Sequence, residues 1–303
     1  MAEEKKIIAV CVATFKRPEL LNNCLSAIGQ ITIPGYCIPL IIVVDNDSEK
    51  SGRASFKKAT KNIEFESYYY VEPNRGISSA RNRLLKESLN HHADFIGFID
   101  DDEFPHSDWL MQHMQTSKKY NADVVAGPVV PVFSNQPINK MPNNSKLNTG
   151  DTPRHVAAGN VLFRSKLATD NNLCFNTAYN FTGGEDFHFF DRSYSLGNVH
   201  VWSAEAIIYE TIPEERRTKK YLFFRHFTGA INNVLQYKTN NNTFSVWFHF
   251  IIKIIGKIFS ALVSAIIFLL TLNNSKLEKS IIKLASAIGY LCGLLNIIVE
   301  RYR

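Results

Sequence analysis

The chain is poor in residues that staple a fold or bind soft metals. Its 303 residues hold five cysteines, Cys11, Cys24, Cys37, Cys174 and Cys292. That odd, scattered set has no CxxC spacing, which excludes a disulfide framework or a cysteine-ligated zinc site and points to a reducing compartment. Met1-Ala2-Glu3-Glu4-Lys5-Lys6 holds no apolar core of the signal-peptide kind. Internal repeats are absent. No nucleic-acid-binding signature accompanies the net charge of +6, so nucleic acid is not expected as a partner. An uncharged stretch of the roughly 20 residues that a spanning helix needs is also missing. Residues 258–272 are uncharged but short, and 281–299 are interrupted by Lys283.

What is present is a hydrophobic content of 45%, enough for a substantial core. The first 130 residues alternate two patterns. Apolar, β-branched runs at 7–13, 39–44, 65–71, 95–99 and 124–130 read as buried strands. Helical spacing appears at 20–28, after Pro18 and Glu19, and again at 77–89 and 109–120. Strands alternating with helices predict an α/β domain with a mostly parallel sheet. Residues 134–154, rich in Asn, Pro, Lys and Ser, read as a long loop. A short strand near Val161, a helix starting near Glu185 and strands near Val199 and Ile207 follow.

The fourth apolar run ends in Asp100-Asp101-Asp102-Glu103. Acids at the carboxyl end of a strand stand where open α/β sheets place ligands. Four adjacent like charges repel, and a hard divalent cation shared with phosphate oxygens relieves that repulsion. A solvated acidic turn is the plainer alternative. Other strand ends carry Thr14, then Asp45 and Asn46, then Asn74-Arg75-Gly76, which leads to Arg81. In a doubly wound sheet these turns line one edge and supply the parts that hold a nucleoside diphosphate. Singly, Thr14 and Asp45 also suit helix N-caps, Arg81 a solvated helix face, and Asn74-Arg75-Gly76 a simple turn.

From residue 246 the composition becomes apolar. Trp247, Phe248 and Phe250 suit an interfacial aromatic belt. Lys253 and Lys257, one helical turn apart, can snorkel. Ala285, Gly289 and Gly293 give a close-packing face. These features fit a membrane hairpin, helices lying on a membrane, or an interface between subunits of a homo-oligomer. Arg216, Arg217, Lys219, Lys220 and Arg225 precede them as a basic segment. The expected organisation is a catalytic domain over 1–212, a basic connector over 213–245 and an apolar helical region over 246–303.

The ordered set of motifs resembles the family-2 inverting nucleotide-sugar glycosyltransferases of GT-A fold, over about residues 7–229. The motifs are 10–18 around Thr14, Val43-Val44-Asp45-Asn46-Asp47-Ser48, 74–82 from Asn74 to Asn82, Ile99-Asp100-Asp101-Asp102-Glu103, Gly159-Asn160 and Gly183-Gly184-Glu185-Asp186. The last, with the acidic run, is most similar to bacterial enzymes of exopolysaccharide and surface-glycan assembly. The resemblance implies nucleoside contacts from Thr14, Asp45 and Asn46, and further donor contacts from Asn74, Arg81, Asp100 and Asp101. It implies Mn²⁺ or Mg²⁺ on Asp102 and Asp100, with Asp102 the more direct ligand. Asp186 is the implied catalytic base, with Glu185 as the competing assignment; an acidic first helical turn is the bland reading of the pair. The implied donor is a nucleoside-diphosphate sugar, a UDP-sugar before others. The expected acceptor is a glycan or lipid-linked hydroxyl, at the cytoplasmic face of a bacterial plasma membrane.

One positioned carboxylate suffices as general base for an acceptor hydroxyl, and cations stabilise the departing diphosphate. Single displacement converts an α-linked donor to a β-glycoside. The Gln-x-x-Arg-Trp motif of processive synthases is absent, which implies one sugar per event. Arg216 and Arg225 either close over the diphosphate or form a basic collar at the membrane. His226 is a candidate third metal ligand or a structural histidine. A nucleotidyltransferase and a non-catalytic membrane scaffold are the competing classes. The missing Gly-rich, Lys-containing phosphate loop opposes the first, and the intact Asp100, Asp102 and Asp186 oppose the second.

Overall fold

The computed structural model describes residues 4–132, 146–297 and 299. The chain divides into two compact units. The first holds 1–180 and 185–211; the second holds 181–184 and 212–303.

In the first unit the apolar runs become the strands of one seven-stranded sheet. They are β1 (Lys6–Thr14), β2 (Cys37–Asp45), β3 (Glu66–Val71), β4 (Phe95–Asp100), β6 (Val124–Ala126), β8 (Val161–Arg164) and β9 (His200–Trp202), in the order β3-β2-β1-β4-β8-β6-β9. β3, β2, β1 and β4 run parallel, whereas β8 is antiparallel to both β4 and β6. The chain steps outward from β1 to β2 and β3, then returns to place β4 on the other side of β1. That reversal makes the carboxyl ends of β1 and β4 the switch point, where a crevice opens.

β1 is buried on both faces, Ile8 to Val12 being fully inaccessible. One face packs Ala9 and Cys11 with Leu84 of α3 (Ile77–Asn90); the other packs Val10 and Val12 with Leu21 and Leu25 of α1 (Pro18–Ile28). A strand buried on both faces needs the unbroken apolar run seen in the sequence.

Some elements escape the sequence pattern. Helix α2 (Arg53–Thr60) buries only Phe56, so it shows no apolar periodicity. β5 (Glu103–Pro105) begins on the last acid of the acidic run. The expected strand over 124–130 is two strands. It breaks at Gly127-Pro128, and β7 (Val129–Val132) joins β10 (Ile208–Thr211) and β5 in a separate small sheet. Of the expected loop over 134–154, residues 134–145 lie outside the described residues. Helices α4 (Trp109–Tyr120), α5 (Lys166–Thr169) and α6 (Glu185–Ser195) complete this unit.

The second unit is built from α7 (Lys219–Asn240), α8 (Thr243–Thr271) and α9 (Asn274–Leu294). Thr218, Asn242 and Asn273 cap them, each side chain accepting from a backbone N–H of the first turn. Residues 213–245, expected as a connector, thus carry a full helix of this unit. A Cβ on Gly289 would stand 2.2 Å from the Phe227 carbonyl oxygen, and one on Gly293 2.8 Å from Val234 Cβ. The small-residue face of α9 is therefore taken by α7 of the same chain. Phe250 is buried with Tyr290 in the core of this unit, which removes it from the expected aromatic belt, whereas Phe248 is exposed, as is Phe244 nearby. Among the described residues one helix, α8, is long and apolar enough to cross a membrane. Among the described residues, the run at 281–299 gives only the later part of α9, which is not a second such helix.

Candidate active site

Register brings the acids to the switch point. Ala13 of β1 pairs with Asp100 of β4, and Thr14 pairs with Asp45 of β2. Thr14 Oγ1 donates to Asp101 Oδ2 at 2.8 Å, and Arg17 Nη1 lies 3.1 Å from Asp101 Oδ1 and 3.5 Å from Asp102 Oδ2. Burial pushes the Asp101 carboxyl up to about 6, with Arg17 and the Thr14 bond opposing. Glu103 turns inward, where Oε2 accepts from the Asp100 N–H at 3.0 Å, and its carboxyl is raised by burial and by Asp100. Repulsion along the acidic run is thus relieved by Arg17 and by a second arginine, while burial favours the neutral form of Asp101 and Glu103.

That second arginine is Arg81, on α3. Only 5% exposed, it donates through Nη2 to Asp100 Oδ1 at 3.1 Å and through Nη1 to Glu185 Oε1. Gly183 (φ 77°) and Gly184 (φ 91°) take left-handed backbone just before α6, conformations that favour glycine. Glu185 opens α6 buried, and burial pushes its carboxyl up while Arg81 opposes. Its other oxygen, Oε2, is buried with no hydrogen-bond partner among the described residues. Asp186 is half-buried and accepts only backbone N–H groups, from Phe187 at 2.7 Å and Ala158 at 3.3 Å. Arg81 therefore joins the end of β4 to the start of α6. A planar fork on two carboxylates cannot be imitated by an ammonium. Arg81→Ala leaves Glu185 buried and unpaired, and should cost about 3–5 kcal/mol. Unfolding followed by the fluorescence of Trp109 and Trp202 should show this, with Arg81→Lys failing to restore it. A loss below about 1 kcal/mol would remove Arg81 as the tie.

The expected nucleoside contacts have other partners. Asp45 is fully buried; Oδ1 accepts from the Asp47 N–H, and Oδ2 accepts from the Gly52 N–H and the Tyr69 hydroxyl. Asn46 donates to the Glu72 and Asn74 carbonyls and accepts from the Gly76 N–H at 2.7 Å. Thr14, Asp45 and Asn46 thus hold the loops in place, and Asn74 contributes its carbonyl to that lattice. Gly76 has φ 130°, and a Cβ there would fall 2.2 Å from Asn180. Asn180 Oδ1 accepts from the Ser79 N–H, a tie that sequence reasoning missed. Also missed were Phe15 and Arg75, whose guanidinium stands 4.4 Å over the ring. Both residues lie inside the quoted motifs. Asn160 is a buried hub; Oδ1 accepts from Trp109 Nε1, and its amide donates to the Pro128 and Ala206 carbonyls. Arg216, Arg225 and His226 belong to the second unit.

Among the described residues, no group of three or more His, Cys, Asp or Glu is arranged to hold a metal ion. The donor set still fits a hard cation. Asp100 and Asp102 side chains are 43% and 11% exposed. Two carboxylates with diphosphate and water oxygens are how Mg²⁺ is commonly held beside a nucleotide.

A switch-point crevice edged by carboxylates, with a second acidic pair tied beside it, defines an α/β transferase of GT-A type. The chain belongs to Glycosyl transferase family 2, whose model matches residues 9–201. It is 30% identical to the succinoglycan biosynthesis protein ExoM of Rhizobium meliloti over 241 residues, 76% of this chain and 75% of that one. The mannosyltransferase PcManGT from Pyrobaculum calidifontis, solved with GDP-Man and Mn²⁺, matches at 13% identity and TM-score 0.66 over 98% of this chain and 90% of that one. S. aureus TarS 1-349 with UDP-GlcNAc matches at 17% identity and TM-score 0.55, over 73% of this chain and 66% of that one. At such identities the structures attest the fold. Family membership makes the chain a glycosyltransferase and sets aside the nucleotidyltransferase and scaffold readings.

Proposed function

We propose that the chain transfers one sugar per event, with inversion, from a nucleoside-diphosphate sugar to a hydroxyl of a glycan or lipid-linked acceptor during bacterial surface-polysaccharide assembly. The observation that carries this reading is the Arg81 bridge, which ties Glu185, the neighbour of Asp186, to Asp100 of the acidic run. The likeness to ExoM supports the pathway class, and the UDP-GlcNAc and GDP-Man of TarS and PcManGT support the donor class, with a UDP-sugar preferred.

Asp186 is the base. Glu185 is committed to Arg81, whereas Asp186 accepts only backbone bonds and can take a proton from the acceptor hydroxyl. Asp102 and Asp100 would hold Mn²⁺ or Mg²⁺, which when bound would supply charge for the departing diphosphate. Arg17, 42% exposed and 3.5 Å from Asp102, would offer its charge to the phosphates. Phe15 and Arg75 offer the nucleoside a flat, cationic platform beside Thr14. Incubation with a panel of nucleotide sugars tests the reading: release of nucleoside diphosphate from one of them is expected, and inertness toward all would reject it.

The enzyme works at the cytoplasmic face of the plasma membrane, touching the bilayer through α8. One stripe of that helix exposes Ile251, Ile255, Ile258, Phe259 and Leu262, while Val246 and Phe250 pack inward. The chain should float with phospholipid vesicles. Ile255→Asp combined with Phe259→Asp, at positions 62% and 68% exposed, should leave it at the bottom of the gradient. Wild-type flotation of that double variant would take α8 out of the contact.

A further inference from the structure

The second unit holds a cavity of about 400 Å³ where α7, α8 and α9 meet. Its wall carries Arg225, His226 and Asn233 of α7, Lys257 of α8 and Ser286 of α9, and no carboxylate. Neither Arg225 nor Lys257 forms an ion pair among the described residues. Burial, Arg225 and then Lys257 hold His226 below its ordinary value, so positive charge at this spot is uncompensated. Residues 225, 229 and 233 fall on one face of α7, since they recur at one-turn spacing. The middle one is a glycine whose Cβ would meet nothing within 4 Å, which leaves the space between the arginine and the asparagine open. The site offers a guanidinium, an ammonium, an imidazole, an amide and a hydroxyl, the donor set for a phosphate group.

The surroundings say what the phosphate is attached to. Lys257 is flanked on α8 by Ile255 and Ile258, exposed by 62% and 42%. A cation such as Lys257, set inside an otherwise apolar, exposed helix, is costly at a membrane unless it serves a ligand. We infer that this cavity takes the phosphate of a single-chain lipid acceptor whose hydrocarbon lies along the apolar face of α8. The inference rests on the transfer function proposed above and names the anion that holds its acceptor. It assigns Arg225, for which the family resemblance implied a contact with the donor diphosphate, to the acceptor lipid instead.

The test is calorimetric titration of the full chain in nonionic micelles with farnesyl phosphate, farnesol, inorganic phosphate and a short-chain phosphatidic acid. Farnesyl phosphate should bind saturably, and the other three at least ~10-fold more weakly, about 1.4 kcal/mol. Arg225→Gln with Lys257→Gln should weaken farnesyl phosphate ~10-fold or more, and so should Gly229→Leu, which fills the cavity without touching a charge. Lys276→Gln with Lys279→Gln removes the same charge elsewhere and should change affinity less than about twofold. Equal binding of inorganic phosphate or phosphatidic acid, or equal loss in both charge-removal pairs, would overturn the assignment. A thermal shift of the unaltered chain with nucleotide sugar separates the two readings: a shift with donor but no lipid-phosphate binding rejects this site and leaves the transferase.

Discussion

Asp186→Asn should lower turnover by ~10²-fold or more while donor affinity stays near wild type, the usual scale for loss of a general base. Asn preserves the shape and can still accept from the Phe187 and Ala158 N–H groups, so α6 should keep its start. What it cannot do is take the proton of an acceptor hydroxyl. Glu185→Gln should behave differently. Removing the charge opposite buried Arg81 disturbs the tie to Asp100, so its loss of activity should come with a lower unfolding midpoint. Steady-state kinetics and thermal unfolding of both variants check this. A stable, dead Glu185→Gln beside an active Asp186→Asn would exchange the roles of the two acids.

Asp102→Ala should abolish metal-stimulated transfer and leave the fold intact. The carboxylate sits in a turn between β4 and β5, where removing charge from a crowded acidic run costs little stability. Turnover of the unaltered chain should fall by ~10²-fold or more in chelator, on the scale of losing one preorganised electrostatic stabiliser, and return with added Mn²⁺ or Mg²⁺. The variant should gain nothing from either ion. Activity indifferent to chelator would remove the metal, and leave Arg17 as the cation facing the diphosphate.

The strands were legible because both faces of β1, β2 and β4 are buried, which imposes unbroken apolar runs. The crevice was legible because its residues follow those runs directly. What the pattern could not carry is pairing across the chain. Thr14 and Asp45 read as nucleoside contacts, and the sequence does not show the bonds to Asp101 and from Tyr69 that strand register brings within reach. Arg81 reads as a donor contact, and the sequence does not show that α6 brings Glu185 onto it. The Ala285, Gly289 and Gly293 stripe announces close packing but not its partner, which proved to be α7. Helix α2 and strand β5 stayed hidden, being too short and polar to show a period.

The account turns on single displacement at the anomeric carbon. Proton NMR of the sugar first released or transferred from an α-linked nucleotide sugar reads it directly, since the anomeric coupling distinguishes the two configurations before mutarotation mixes them. The β configuration in the first product is the expected result. An α product would contradict it, because retention cannot come from one base at Asp186 and one displacement.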